Sequence, residues 1–361
     1  MNMPLQPGDR GAAEPAGTRL RSGTVSTALL WLLPAATLPA ACWACATCGC
    51  TVNADAVMGF PAANGWRLDL EYDFIDQDQL RSGSGVATAA QVVNNPSDRA
   101  LGGGEIESDT VNRYFRLGLS YQLDSNWNLG VSVPYILRDH STYGVQQAPY
   151  SSAETAPDEL SSAHVSNLGD VKVLASFQGL LSTHELGLQL GLKLPTGQDG
   201  TRTDFASGPE RGTPLDASLQ AGTGSTDLII GAYFQHAVSQ DFDAFATAQF
   251  QAAILDNLTR AGWDYRPGNS ATFSLGLRYE ANPRWLPQLQ LMLFRKDADQ
   301  GALADTTDSA GSVLYLNPGL TLQLLSKLHG YAVVQLPLYS DLAGYQLFPH
   351  WTATVGLSYR R

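Results

Sequence analysis

From about residue 65 to the end, the chain repeats one pattern: stretches with an apolar side chain at every second position, divided alternately by short turns and long polar loops. In the first stretch Trp66, Leu68, Leu70, Tyr72 and Phe74 fall on one face, and Arg67, Asp69, Glu71 and Asp73 on the other. That phase belongs to a strand, whose successive side chains point to opposite sides. A strand with one wet face in a soluble sandwich has the same period, so repetition and loop asymmetry carry the argument. Similar stretches lie near 112–123, 127–138, 168–178, 185–195, 227–237, 242–252, 271–280, 286–295, 313–324, 331–339 and 351–360. They predict an all-β fold: a closed antiparallel transmembrane β-barrel of about twelve strands, an even number that brings both chain ends to one side.

Every second connection is short, as in Asp124-Ser125-Asn126, Gly179 to Thr183, Val238 to Asp241, Ala281 to Arg284 and Ser326 to Leu328. The others are long and rich in Gly, Ser, Asp, Asn and Pro. Short periplasmic turns and long extracellular loops are the habit of bacterial outer-membrane barrels. The outward aromatics sort by depth. Trp66, Tyr121, Trp127, Phe177, Phe234, Phe242, Tyr279, Trp285 and Tyr359 lie near the short turns, and Phe74, Tyr135, Phe250 and Trp351 near the long loops. Two aromatic girdles around an aliphatic band match a bilayer with two wet interfaces.

Composition agrees: 361 residues, 44% hydrophobic, only 16% charged, with 35 Gly. No run of about twenty apolar residues follows residue 42, which excludes a helical membrane bundle. No 3.6-residue periodicity marks amphipathic helices in the body of the chain. Residues 1–46 read as an N-terminal extension and signal peptide, with Arg19-Leu20-Arg21 ahead of the apolar stretch Val25 to Ala41. Ala44-Cys45-Ala46 is the best cleavage site and puts the mature start near Thr47. Residues 47–64 form a periplasmic segment, and 65–361 the barrel.

All four cysteines fall in one run, Cys42, Cys45, Cys48 and Cys50. Three uses stay open. Cys48 and Cys50 are candidate metal ligands, because a C-x-C loop aims two thiolates at one Cu(I) or Zn ion. A disulfide suits an oxidising compartment, and Cys42 is a candidate for lipidation although Pro39 holds the place where a lipobox wants an aliphatic residue. A c-type haem is excluded, since no His follows C-x-x-C.

The inward set is polar: Arg67, Asp69, Glu71, Asp73, Arg116, Arg138, Asp170, Lys172, Glu185, Lys193, Asp243, Arg278, Glu280 and Arg360. In a closed barrel the first strand lies between the second and the last, so its acidic row is expected to face Arg116 on one side and Arg360 on the other. Such pairs serve structure or line a solute path. Inward Gly118, Gly130, Gly187, Gly191, Gly231, Gly276, Gly319 and Gly356 leave local space or allow curvature. The long loops hold 22 acidic against 8 basic residues, so the chain's −12 charge is concentrated there. Outer-membrane lipid and lipopolysaccharide with its divalent cations are the expected surroundings, and the barrel-assembly machinery an expected partner. Nucleic acid is excluded, because a phosphate backbone needs a basic face.

No G-x-S-x-G, H-E-x-x-H or G-x-x-x-x-G-K-[ST] motif occurs. His184, His236 and His329 map to separate hairpins at the periplasmic rim and read as interfacial residues. Neither an enzyme nor a cofactor is implied, and too few residues precede the first strand for the plug of a coupled receptor.

Four phrases carry a resemblance: Leu168-Gly169-Asp170, Leu192-Lys193-Leu194-Pro195-Thr196-Gly197, Gly222-Thr223-Gly224-Ser225-Thr226-Asp227 and Tyr265-Arg266-Pro267-Gly268. They resemble strand-end motifs of the bacterial outer-membrane barrels grouped with the phenol-degradation MetA-pathway proteins. The resemblance covers roughly residues 65–361 and implies a barrel of about twelve strands with a role in passage of small molecules such as hydrophobic compounds. It transfers no functional residue, since the motifs read as turn chemistry. The expected function is passive diffusion of small solutes across the bacterial outer membrane. The rival is a non-transporting envelope barrel that carries a periplasmic metal or redox segment through Cys48 and Cys50.

Overall fold

The alternation of β1 (Gly65–Gly83) survives intact in three dimensions: Arg67, Asp69, Glu71 and Asp73 are buried inside, and Trp66, Leu68 and Leu70 are exposed outside. The computed structural model describes residues 65–95, 104–146, 159–198, 203–255 and 264–361. After β1 come β2 (Gly85–Val86), helix α1 (Ala89–Val93), β3 (Gly104–Gln122) and β4 (Trp127–Gln146). Then follow β5 (Ser161–Leu168), β6 (Val171–Phe177), β7 (Leu186–Leu194), β8 (Thr226–Ala237) and β9 (Phe242–Leu255). The last are β10 (Ser270–Tyr279), β11 (Trp285–Lys296), β12 (Gly311–Leu325) and β13 (Leu328–Arg360).

Antiparallel neighbours run β13-β12-β11-β10-β9-β8-β7-β6-β4-β3-β1, and β13 pairs β1 to close the ring. Eleven strands therefore form the wall, and β13 crosses it twice. Its first part, Leu328 to Leu342, pairs β12 and its last, Leu342 to Arg360, pairs β1. Between the two, Gly344 takes φ +47, and an added Cβ there would strike the Asp308 carboxylate. Twelve crossings result, as the periodicity predicts.

The exterior is a lipid-facing wall. Leu117, Leu119, Leu129, Val131, Leu188, Leu190, Ile230, Leu275, Leu291 and Leu357 are exposed between two belts of rings. The inner belt contains cross-strand pairs, with centroids 4.6 Å apart for Trp66–Tyr121, 4.8 Å for Trp127–Phe177 and 5.3 Å for Phe242–Tyr279. The outer belt includes Phe74–Trp351 at 5.7 Å. Short turns close by side-chain capping: Asp124 Oδ1 accepts from the N–H groups of Asn126 and Trp127, and Ser239 Oγ from those of Asp241 and Phe242.

The ladder climbs beyond the outer belt further than periodicity indicates. β1 runs on to Gly83, β3 starts at Gly104 and β4 reaches Gln146. Above the bilayer both faces of a strand are wet, so Asp76, Gln77, Asp78 and Gln79 show no apolar phase although they lie in β1. One stretch expected to be continuous, 168–178, is broken at Gly169-Asp170 into β5 and β6, which both pair β4. Near the mouth the interior is not polar throughout. Met292, Phe294, Val313, Tyr315, Leu342 and Phe348 form one apolar cluster, and Phe205, Leu215 and Leu219 of the β7–β8 loop pack on Ala163 and Val165 in another. Loop segments that fold inward supply the apolar partners that a hollow barrel lacks.

Candidate functional site

The acidic row of β1 meets Arg116 as expected. Arg116 lies directly opposite Glu71. Its guanidinium is 2.7 Å from Glu71 Oε2, and donates to Asp73 Oδ2 at 2.9 Å and Oδ1 at 3.1 Å. Arg67 Nε binds Asp69 Oδ2 at 2.9 Å. On the other side the register sets Arg360 at the start of the row. Its register partner is Arg67, and Asp69, Glu71 and Asp73 face Ser358, Gly356 and Thr354. The end of β13 pairs antiparallel with the start of β1, and neutral groups of β13 reach the acidic row: Thr354 Oγ1 donates to Asp73 Oδ1 at 2.6 Å and the Tyr331 hydroxyl to Glu71 Oε1 at 2.5 Å.

Three inward glycines do not leave empty space. A Cβ on Gly187, Gly276 or Gly356 would lie 2.1–2.2 Å from the rings of Tyr233, Phe245 and Tyr331. The rings lie across the bare backbone of the neighbouring strand, a packing device of barrels. Arg278, 3.3 Å from Glu280, covers the Phe245 ring from 5.7 Å. Gly118 and Gly130 do leave room: a Cβ there would meet nothing closer than 3.4 Å. They line a cavity of about 90 Å³ together with Asp69, Ser120, Ser132 and Ser176.

Arg138 is a strut. Its guanidinium donates to Asn112 Oδ1 at 2.5 Å and the Tyr114 hydroxyl at 2.9 Å, and also to the carbonyl of Leu219 in the short 3₁₀ turn Ala217–Leu219. It ties the inward loop to the wall.

Three of the four phrases that carry the family resemblance converge on Asp170. Its Oδ1 accepts from Gly197 N at 3.0 Å, and its Oδ2 from Thr223 N at 3.0 Å and Thr223 Oγ1 at 2.8 Å. Lys193 Nζ lies 3.4 Å from Asp170 and 3.0 Å from Asp227. A Cβ on Gly197 would come within 2.7 Å of Gly222 Cα, so the two loops touch backbone to backbone. Tyr265 and Gly268, from the fourth phrase, bind Asp299, which pairs with Lys296 at 2.6 Å. These are loop anchors. Lys172, the register partner of Lys193, has its Nζ 3.5 Å from Gln251 Oε1, and the Gln251 amide donates to Asp227 Oδ2 at 2.6 Å.

Above the Asp170 node the wall is incomplete. β7 ends at Leu194, and β5 has strand pairing only with β4 among the described residues. Its other edge is covered by loop: Ala206 N donates to Ser162 O at 2.8 Å, and Ser162 Oγ lies 2.7 Å from Ser207 Oγ. A cavity of about 350 Å³ opens there, lined by His164, Ser166, Asn167, Gln198, Thr203 and Asp204. It sits at and above the outer belt, since Leu168 is level with Tyr135.

Cys48 and Cys50 lie outside the described residues. Among the described residues no group of three or more His, Cys, Asp or Glu is placed to hold a metal ion.

No family model and no curated protein matches the chain. Solved structures do. An outer-membrane channel of Pseudomonas putida F1 matches with a TM-score of 0.57 at 12% identity, over 86% of this chain and all of that one. A FadL homologue of Pseudomonas aeruginosa matches at 0.41 and 12%, over 84% and 93%. The beta domain of a Bordetella autotransporter matches at 0.44 and 13%, over 83% and 100%. At such identity the first likeness establishes the fold, and the other two add no weight.

Proposed function

We propose that the chain is a bacterial outer-membrane channel through which small solutes, hydrophobic compounds among them, pass by diffusion without covalent chemistry. The observation that carries this is the space kept open beside fixed charge: Gly118 and Gly130 hollow the wall next to the Arg67, Asp69, Glu71 and Arg116 network. A barrel that served only as an anchor gains nothing from a hollow polar interior. The incomplete wall at β5 supports the hydrophobic part of the reading, as does the resemblance to the MetA-pathway barrels. An apolar solute gains by leaving a polar lumen for lipid, and the lower end of the break, beside Leu168, reaches down to the outer belt. Lipopolysaccharide around the outer belt and the assembly machinery at the periplasmic side are partners in the same proposal.

The test is single-channel conductance of the refolded mature chain, beginning at Thr47, in a planar bilayer. Steps that shift with Asp69→Asn, Glu71→Gln or Arg116→Gln support the channel. A silent bilayer from protein shown to be folded overturns it and turns attention to Cys48 and Cys50.

A further inference from the structure

β5 has one paired edge and one edge that only loop covers, and alternate residues serve the two. In an antiparallel pair, residues that exchange bonds with the neighbour alternate with residues whose N–H and C=O point the other way. Gly169 N donates to Pro134 O at 2.8 Å and sets the phase, so the main-chain groups of Ser162, His164, Ser166 and Leu168 turn away from β4. That edge is closed at both ends. At the upper end Ala206 N donates to Ser162 O at 2.8 Å, and Ser162 N to Ser207 O at 3.4 Å. At the lower end Asn167 Oδ1 accepts from Leu168 N at 2.9 Å, and Leu168 O accepts from Gln198 N at 3.4 Å. Between these seals His164 and Ser166 have no main-chain partner on the edge side among the described residues.

The cavity of about 350 Å³ lies against this open stretch: His164, Ser166 and Asn167 line it from the strand, and Gln198, Thr203 and Asp204 from the loop. Imidazole, hydroxyl, amide and carboxylate groups dominate that lining, so an occupant must itself form hydrogen bonds. A strand edge with unused N–H and C=O groups is a template for another extended chain. His164 and Ser166 lie about 6.8 Å apart along the strand, the interval at which an extended peptide repeats its own edge-facing groups. A sugar ring offers hydroxyls without that repeat. About three residues of extended chain span the opening, and the volume stands near the lower end of the range for ligand pockets. Asp204 makes no ion pair among the described residues, which leaves its carboxylate for a cation.

We propose that the open edge of β5 binds a short peptide, about three residues long, as an added strand. His164 and Ser166 exchange main-chain bonds with alternate residues of the peptide, and its N-terminal ammonium meets Asp204. The site goes beyond the channel reading and does not depend on it.

The probe is trialanine, added to the refolded chain in micelles and followed by ligand-observed NMR. Of its two amides only one faces the edge, so affinity should fall about tenfold when that one is N-methylated and stay within about twofold when the other is. Acetylation of its amino end should weaken binding several-fold, and Asp204→Asn should do the same. Ser166→Pro removes an edge-facing N–H and no bond to β4, a position where a strand tolerates proline. It should abolish binding, and Ser166→Ala, which keeps the N–H, should not; if Ser166→Pro fails to fold, the two methylated peptides carry the test. Equal effects of the two methylations, or unchanged binding by a folded Ser166→Pro barrel, overturn the edge pairing. Saturation transfer to glucose and none to trialanine assigns the cavity to sugars and overturns the peptide, as does a folded barrel that binds neither. Trialanine binding by a barrel that conducts nothing removes the channel and leaves the site.

Discussion

The ring of Tyr331 lies across Gly356, and its hydroxyl reaches Glu71 Oε1 at 2.5 Å. One side chain thus joins the two passes of β13 and closes the acidic row of β1. Gly356→Ala would place a methyl 2.2 Å from Tyr331 Cζ, so the ring must leave or the strands must part. Overpacking of this kind costs about 1–3 kcal/mol. Tyr331→Phe keeps the ring and removes one hydrogen bond to a charged group, a loss of about 1.5–3 kcal/mol before relaxation. The folded band in heat-modifiability gels should melt at lower temperature in both variants. A Gly356→Ala barrel as stable as the parent would show that the ring does not sit on the glycine.

Arg138 is a second such joint, between wall and loop. Its removal in Arg138→Ala strands the carbonyls of Ser218, Leu219 and Gln220, while the Asn112 amide oxygen keeps the Tyr114 hydroxyl as donor. Breaking bonds to a charged donor should free the segment around residues 215–221 while leaving the ladder closed. Hydrogen exchange there should rise at least tenfold, the equivalent of about 1.4 kcal/mol, with strand amides unchanged. Exchange that rises equally throughout would mean that Arg138 holds the whole barrel together.

How much of this was legible in the sequence depends on whether the two faces of a strand differ. Across the bilayer they do, and Trp66 to Phe74 reads correctly residue by residue. Above it both faces are polar, and the extensions of β1, β3 and β4 are invisible to periodicity. Tyr331 and Val333 point inward while Leu336 and Leu338 point outward, so both faces of that stretch look apolar and the phase gives no hint of the Glu71 contact. The strand-end phrases were seen as turn chemistry. That three of them meet at Asp170 follows from strand order and register, which no local motif encodes. The register that sets Arg360 opposite Arg67 is likewise a property of strand pairing that no local motif encodes.

Acid should tighten the extracellular mouth. Glu105, at the start of β3 well above the outer belt, is raised to about 7 by burial and then by the Asp216 charge, and Asp216 to about 6 by burial and then by Asp305. Glu107 is held well above the usual carboxylate range by burial and then by the Glu105 charge. Thr142 opposes the shift by donating to Glu105, and Glu210 and Asp308 add to it. The folded state keeps these protons at a pH where the unfolded chain, with ordinary values of 4.5 and 3.8, has released them. Stability therefore falls as pH climbs from about 4 through about 7, and the buried Glu107 extends the fall toward higher pH. Melting temperature should be higher at pH 5 than at pH 8, and Glu105→Gln should flatten the difference. A rise in stability between pH 5 and pH 8 contradicts the assignment.

The break beside β5 makes a prediction about route. Ser162 and Ser207 face each other across the loop-covered edge, with hydroxyls 2.7 Å apart and an isolated antiparallel bridge between them. Bridged residues lie at Cα separations of about 4.5–5.5 Å, within the range a disulfide spans. In a background with Cys48→Ser and Cys50→Ser, the pair Ser162→Cys and Ser207→Cys should cross-link without disturbing the ladder. If apolar solutes leave through this edge, the oxidised barrel should take up a hydrophobic probe such as toluene several-fold more slowly, and reductant should restore the rate. Ionic conductance follows the polar lumen and should be the same in both redox states. Toluene uptake that ignores the cross-link would place the apolar route in the lumen itself, past Lys172 and the β1 charges, and the wall would then be closed at β5 for structural reasons alone.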